Sequence, residues 1–431
     1  MKSFSELKRL VSLNRDFFLK LKEYPAVLNG LKSKRFWFYA ESLGEFRLAL
    51  DVADIIKSIL YEKKECPPII FISFKTFSTL TLAEKYKNTG ILFFHHPFLI
   101  LKPVLKRYVS AMKPDYFISV QHPVPKKLIK ELLFSGIGAG LIFLGINAAG
   151  LKKMLKMQID ERLVNASGSS LFAEVSGSDG KTETKISVPP CSLKFISCGS
   201  KKISNKNKAE RTGNNVVISF VSIHEKEAFF ILKLIGELIA ESNLIVTAVP
   251  KNLKFILVPR NIKNLRKLSK AVCKAGFNMA YYGNNREKFP DGNHLNNPAE
   301  FLNNAGMKIM IVDKYGVLDE IYPYSDIVYV GKSLFKGEEG GHNVLEPASF
   351  GKPVITGEYA ANFADITGEM VKCSAGAVTS KKNFKDVLIE FIKDENLREK
   401  TGENALNFCL AKNAELKKYL KNYLSGIIFA D

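Results

Sequence analysis

Two series of short apolar strands alternating with amphipathic helices predict an α/β protein of two Rossmann-like domains facing across a cleft, where the carboxyl ends of the strands meet. Three observations carry that prediction. The alternation starts at Arg35, a stretch rich in Ser, Gly, Lys and Thr interrupts it between about 166 and 215, and it resumes at Val216. The length of 431 residues agrees, since a domain typically holds about 100–200 residues.

In order, the pattern predicts strand 36–40, helix 44–61, strand 68–74, helix 81–88, strand 90–94, helix 98–111, strand 115–120, helix 126–134 and strand 141–145. Thr184–Val188 is also strand-like. The second series predicts strands 216–221, 255–259, 307–312, 327–330 and 353–356, with helices 225–241 and 263–275 and a terminal helix 397–425. The domains therefore read as 1–200, a linker at 201–215, and 216–431, with the last helix returning toward the first domain.

Hydrophobic residues make up 46% and charged residues 25% of the chain, an ordinary globular composition that excludes general disorder. The 63 Lys+Arg against 43 Asp+Glu leave a net +20, which predicts an anionic partner. Nucleic acid is not favoured, because the aromatics sit in apolar runs and do not interleave with basic residues. Cys66, Cys191, Cys198, Cys273, Cys373 and Cys409 form no C-x-x-C, so neither a zinc ribbon nor a disulfide scaffold is indicated. No metal site is expected, since the histidines lack metal-ligand spacing. No apolar run reaches the roughly 18–20 residues of a membrane span. The N-terminal segment interleaves Lys8, Arg9, Arg15 and Lys20 with Leu10, Phe17, Phe18 and Leu19. It reads either as a helix lying on an anionic membrane or as an ordinary packed amphipathic helix.

Two glycine-rich stretches fail as phosphate loops. Gly177–Thr182 lacks the first Walker glycine and precedes a strand, and Gly136–Gly140 lies before a strand where the fingerprint needs the reverse order. Three other places carry chemistry. At the first strand-to-helix junction, Ser42 and Glu45 make a capping box, with Gly44 between them. The same carboxylate stands at the mouth of the sheet, where a base would take a proton from a hydroxyl nucleophile; Glu41 is the alternative base. In Gly340–Val354, Gly340 and Gly341 allow backbone amides to approach a phosphate at a helix start, with His342 beside them. Asn343 and Glu346, three apart, share a face that can reach a ribose. Arg260 ends a strand as Pro-Arg, placed to grip a phosphate, or it is a plain surface arginine.

Taken in order, these motifs resemble the bacterial 3-deoxy-D-manno-octulosonic acid (Kdo) transferases. GGHNVLEPASFGKPVITG is similar to their nucleotide-site signature, and Ser42-Leu-Gly-Glu45 to the segment holding their catalytic glutamate. Ser73 to Thr79, with Ser73 and Thr76, falls where the family has a Ser/Thr-rich loop, and Ile223–Glu225, Val258–Arg260 and Asp313–Leu318 match later segments. The chain departs from the family in lacking a hydrophobic N-terminal anchor. It has Gln121-His-Pro-Val-Pro125 in place of a Glu-Leu-Trp-Pro-Asn-like segment, Asn261 after Pro-Arg, and a shortened Asn147-Ala-Ala149. The resemblance implies a GT-B fold and an inverting, metal-independent transfer of Kdo from CMP-Kdo to a lipid A precursor, without a cofactor. It implies Glu45 as base, with Ser42, Gly44, Ser73, Thr76, Arg260, Gly340, Gly341, His342, Asn343 and Glu346 binding substrates. It places the enzyme peripherally on the cytoplasmic face of the bacterial inner membrane. The competing expectations are another nucleotide sugar or acceptor, or an inactive relative that binds a glycolipid.

Overall fold

The structure, a computed structural model, describes residues 4–28, 33–86, 89–95, 102–134, 140–146, 148–155, 171–176, 183–199, 215–242, 252–262, 265–283, 292–337 and 340–430. Gly177–Thr182, residues 136–139, the start of the expected 98–111 helix and residues 201–214 of the expected linker lie outside the described residues. The chain forms two compact units, Met1–Ser197 with Lys412–Asp431, and Cys198–Ala411.

The first unit runs α1 (Phe4–Leu28), β1 (Arg35–Tyr39), α2 (Leu43–Glu62), β2 (Ile69–Phe74), α3 (Phe77–Lys85), β3 (Ile91–His95), α4 (Lys102–Met112), β4 (Tyr116–Val120), α5 (Lys126–Phe134), β5 (Gly140–Ile146), α6 (Ala148–Leu155), β6 (Leu171–Ser176) and β7 (Glu183–Ser187). Its sheet has the order β3-β2-β1-β4-β5-β6-β7. The run Arg35-Phe-Trp-Phe-Tyr39 makes a central strand because aromatic side chains pack on both faces, and Phe36 to Tyr39 are buried. Helix α2 buries Phe46, Ala49, Ala53, Ile56 and Leu60, a three-four spacing that turns one stripe to the sheet. The sheet is parallel from β3 through β5 and mixed beyond it. Strand β6 pairs antiparallel with β5, and β7 with β6. Leu171, Phe172, Ala173 and Val175 are buried, although polar residues flank this short apolar run in the sequence.

Helix α1 is a packed helix on its inner face. Phe17 is buried with its ring 4.7 Å from Phe94, 5.7 Å from Tyr108 and 6.2 Å from Phe71. Burial of such a ring contributes about 1.5–3 kcal/mol. Val11 and Leu19 remain exposed on its outer face. No helix among the described residues is long and apolar enough to cross a membrane.

The second unit runs β8 (Val216–Ile223), α7 (Glu225–Ser242), β9 (Leu253–Pro259), α8 (Leu265–Lys274), β10 (Met279–Tyr282), β11 (His294–Leu295), α9 (Pro298–Asn303), β12 (Ile309–Val312), α10 (Leu318–Ile321), β13 (Ile327–Val330), α11 (Leu345–Ala348), β14 (Val354–Gly357), α12 (Ala364–Lys372), β15 (Gly376–Thr379), α13 (Phe384–Lys393) and α14 (Glu395–Ile428). Its parallel sheet has the order β11-β10-β12-β9-β8-β13-β14-β15. From Lys412 onward α14 belongs to the first unit, where Leu416, Leu420 and Leu424, four apart, are buried.

Both sheets reverse their strand order beside their first strand, at β1/β4 and at β8/β13. In open α/β sheets, ligands bind outside the carboxyl ends of the strands at such a reversal.

Candidate functional site

In the first unit the turn after β1 leads into α2. Ser42 is extended (φ −113°, ψ 166°), and its Oγ accepts from the Glu45 amide at 3.2 Å. Glu45 Oε2 accepts in turn from the amides of Glu41 at 2.6 Å and Ser42 at 3.0 Å. The capping box is therefore formed, and it holds the half-buried Glu45 carboxylate in one orientation beside exposed Gly44.

Glu41 sits in a denser set of partners. Tyr39 donates its hydroxyl to Oε1 at 2.7 Å, Lys75 Nζ lies 2.6 Å from Oε2, and His122 Nε2 lies 3.7 Å from the same oxygen. Burial pushes the Glu41 carboxyl up, but hydrogen bonds from Lys75 and Tyr39 outweigh it and hold the group below the ordinary range. Tyr39 and Ser73 are register partners on adjacent strands, so the turns after β1 and β2 leave the same sheet edge. The Lys75–Glu41 pair joins those turns.

The expected Ser/Thr loop divides. Thr76 precedes α3, which begins at Phe77 and not at the expected residue 81, and its Oγ1 lies 2.8 Å from Thr79 Oγ1. Ser73 is fully buried: Trp37 Nε1 donates to its Oγ at 2.9 Å, and its hydroxyl donates to the Phe38 carbonyl at 3.2 Å. The Ser73 hydroxyl is thus enclosed in the core between β1 and β2.

In the second unit, the ends of β8, β9 and β13 bring together His224, Arg260 and Lys332 with His342. The two imidazoles approach at 3.2 Å between their Nε2 atoms, with rings stacked at 5.4 Å and 25°. Burial pushes His342 down to about 4, and the charges of Arg260, His224 and Lys332 act in the same direction. Exposed Arg260 is anchored through its amide to the Ile223 carbonyl at 3.0 Å. A cavity of 320 Å³ opens beside this group, floored by Ile223, Phe229, Pro259 and Leu268, with His224 and Arg260 in its wall. This arrangement can fix an anionic group next to a partly apolar one.

The glycine turn works differently from its sequence expectation. Gly340 (φ 135°) and Gly341 (φ 66°) adopt left-handed backbone, and a Cβ on Gly341 would stand 3.1 Å from Ala360. Their amides go to the Tyr359 carbonyl at 3.0 Å and the Lys332 carbonyl at 2.8 Å. Those two amides are thus spent on the turn and are not offered to a phosphate. The helix that follows is a single turn, Leu345–Ala348, so its dipole is small. Asn343 Oδ1 accepts the Leu345 amide at 3.1 Å, while its Nδ2 lies 3.5 Å from Glu346 Oε1. Asn343 and Glu346 do share a face, and both are half-buried.

Lys332 and Glu227 were not singled out from the sequence. The available signals were a basic residue directly after an apolar strand, as at Arg260, and an acidic residue in the first turn of a helix following a strand.

Comparisons with known proteins converge. The family model for glycosyl transferases group 1 matches residues 260–408. The 3-deoxy-D-manno-octulosonic acid transferase of Aquifex aeolicus is 26% identical over 91% of this chain and 94% of its own. That of Haemophilus influenzae is 24% identical over 90% of this chain and 89% of its own. Among solved structures, the C-terminal CMP-Kdo binding domain of WaaA from Acinetobacter baumannii matches with 20% identity and a TM-score of 0.39, covering 50% of this chain and 97% of that one. With relatives of one kind aligned over most of its length and a glycosyltransferase model within its second unit, the chain is a glycosyltransferase with the two-domain α/β fold of the GT-B type, similar to the 3-deoxy-D-manno-octulosonic acid transferases.

Proposed function

We propose that this glycosyltransferase moves Kdo from CMP-Kdo to a lipid A precursor with inversion and without a metal ion. The observation that carries the reading is the cationic group of Arg260 and Lys332 around His342, beside the cavity of 320 Å³. Arg260 and Lys332 hold the donor phosphate and stabilise the charge that develops on the leaving CMP. Asn343 and Glu346 face the ribose, and the turn of Gly340 and Gly341 carries His342 into position.

In the first unit Glu45 removes the proton of the acceptor hydroxyl as that oxygen attacks the anomeric carbon. Its Oε2 is held by two backbone amides, which orients Oε1 for the transfer. Ser42, Gly44 and Thr76 border the acceptor's approach. The outer face of α1, with Arg15 and exposed Val11 and Leu19, rests on the anionic cytoplasmic surface of the inner membrane.

The test supplies freshly generated CMP-Kdo and a tetra-acylated, bis-phosphorylated lipid A precursor to the full chain, with a chelator present. A product heavier by one or more Kdo units supports the reading. Donor bound without product sinks the acceptor assignment, and no donor binding sinks the donor assignment.

A further inference from the structure

We propose that buried Glu227 is a positioning residue that sets the cationic phosphate site of the second unit by holding the backbone on which Lys332 and His224 stand. The proposal rests on the reading that this unit binds a nucleotide phosphate.

Glu227 is the third residue of α7 and is fully buried. Its Oε2 accepts from the amides of Lys332 at 2.8 Å and His224 at 3.1 Å. Its Oε1 accepts from the Tyr329 hydroxyl at 2.8 Å and from the amides of Ser333 at 3.1 Å and Leu334 at 3.3 Å. All five partners are donors, a demand that only a carboxylate meets on both oxygens. One side chain therefore ties the turn after β13 to the turn after β8, at the reversal of strand order.

What it holds is a strained residue. Lys332 has φ 63°, a backbone conformation that costs a non-glycine residue and persists where neighbours impose it. Its amide is fixed by Glu227 and its carbonyl by the Gly341 amide at 2.8 Å. The grip thus passes from Glu227 through Lys332 to the turn that carries His342. The preceding residue leaves no room for play, since a Cβ on Gly331 would stand 2.8 Å from Glu227 Oε2. Packing alone needs no carboxylate at this place, whereas placing an ammonium beside a phosphate needs its backbone fixed.

The experiment compares CMP with cytidine, which differ by the phosphate, in calorimetric titrations of the full chain. Wild type, Glu227→Gln and Lys332→Met are the three proteins. Glutamine keeps the shape but turns an NH₂ toward backbone amides, so the turn shifts. Glu227→Gln is expected to weaken CMP roughly tenfold while cytidine changes less than about twofold. Lys332→Met, on a half-buried residue, is expected to do the same without touching the buried carboxylate. Equal losses for CMP and cytidine in Glu227→Gln mean a merely structural role and overturn the proposal. An unchanged CMP-to-cytidine ratio in Lys332→Met overturns it whether or not the Glu227 variant folds. If wild type prefers another nucleoside monophosphate, the CMP reading fails and the same comparison is made with that nucleotide and its nucleoside. Binding of no nucleoside monophosphate overturns both.

Discussion

The Nε2 atoms of His224 and His342 stand 3.2 Å apart, although 118 residues separate them in sequence. At that distance one ring nitrogen can donate a hydrogen bond to the other. Arg260 and Lys332 add positive charge around His342, and burial removes the water that would stabilise an imidazolium. His342 is consequently held neutral inside a cationic site suited to receive an anion.

The first prediction concerns pH. Folding lowers His342 from about 6.5 to about 4, so between these values the unfolded chain binds more protons. Stability from this group is fully present above about pH 6.5 and falls as pH drops toward 4. Chemical denaturation of the wild type should lose at most about 2 kcal/mol between pH 7 and pH 5 that His342→Gln does not lose. Identical pH slopes in the two proteins refute the assignment.

Arg260→Ala tests the same electrostatics from the other side. Removing the guanidinium should raise the His342 pKa, read from imidazole resonances in a pH titration, because Arg260 is one cause of its depression. CMP affinity should fall roughly tenfold, the worth of a charge-assisted hydrogen bond to phosphate. A histidine titration that does not move shows Arg260 to be a plain surface residue.

Glu45→Gln separates base from cap. Glutamine still accepts from the Ser42 amide, as capping boxes with Gln do, so the start of α2 should survive. Turnover should drop about 10²–10⁴-fold, the usual contribution of general base catalysis, with donor binding unchanged. Full turnover in this variant would leave Glu45 only its capping role.

Ser73→Ala should act on stability alone. It leaves the buried Trp37 Nε1 without its acceptor, a loss of about 1–3 kcal/mol measured by denaturation. Transfer per folded molecule should stay at the wild-type level. A drop in turnover at equal folded fraction would return Ser73 to the substrate site.

Much of this architecture is legible in local pattern. Strand Ile327–Val330 falls where the apolar run places it, and α2 follows from its three-four spacing. The box of Ser42 and Glu45 is readable because its partners lie within four residues. Less legible are β15, whose residues are largely unburied, and β11, only two residues long, since such strands carry little apolar signal. The turn at Gly340 and Gly341 was visible, but the use of its amides was not. Those amides are taken by carbonyls of Tyr359 and Lys332, which lie in other segments.

By itself the sequence determined the succession of strands and helices, the place of each turn and the residue types available there, because period and capping depend on near neighbours. Only the tertiary structure decided which strands adjoin. It set β8 beside β13, and with that gave Glu227 its grip on residues 332 to 334 and His224 its partner His342. The physical reason is that strand order depends on packing between distant segments, whose hydrogen-bonding side chains meet only after those segments pair.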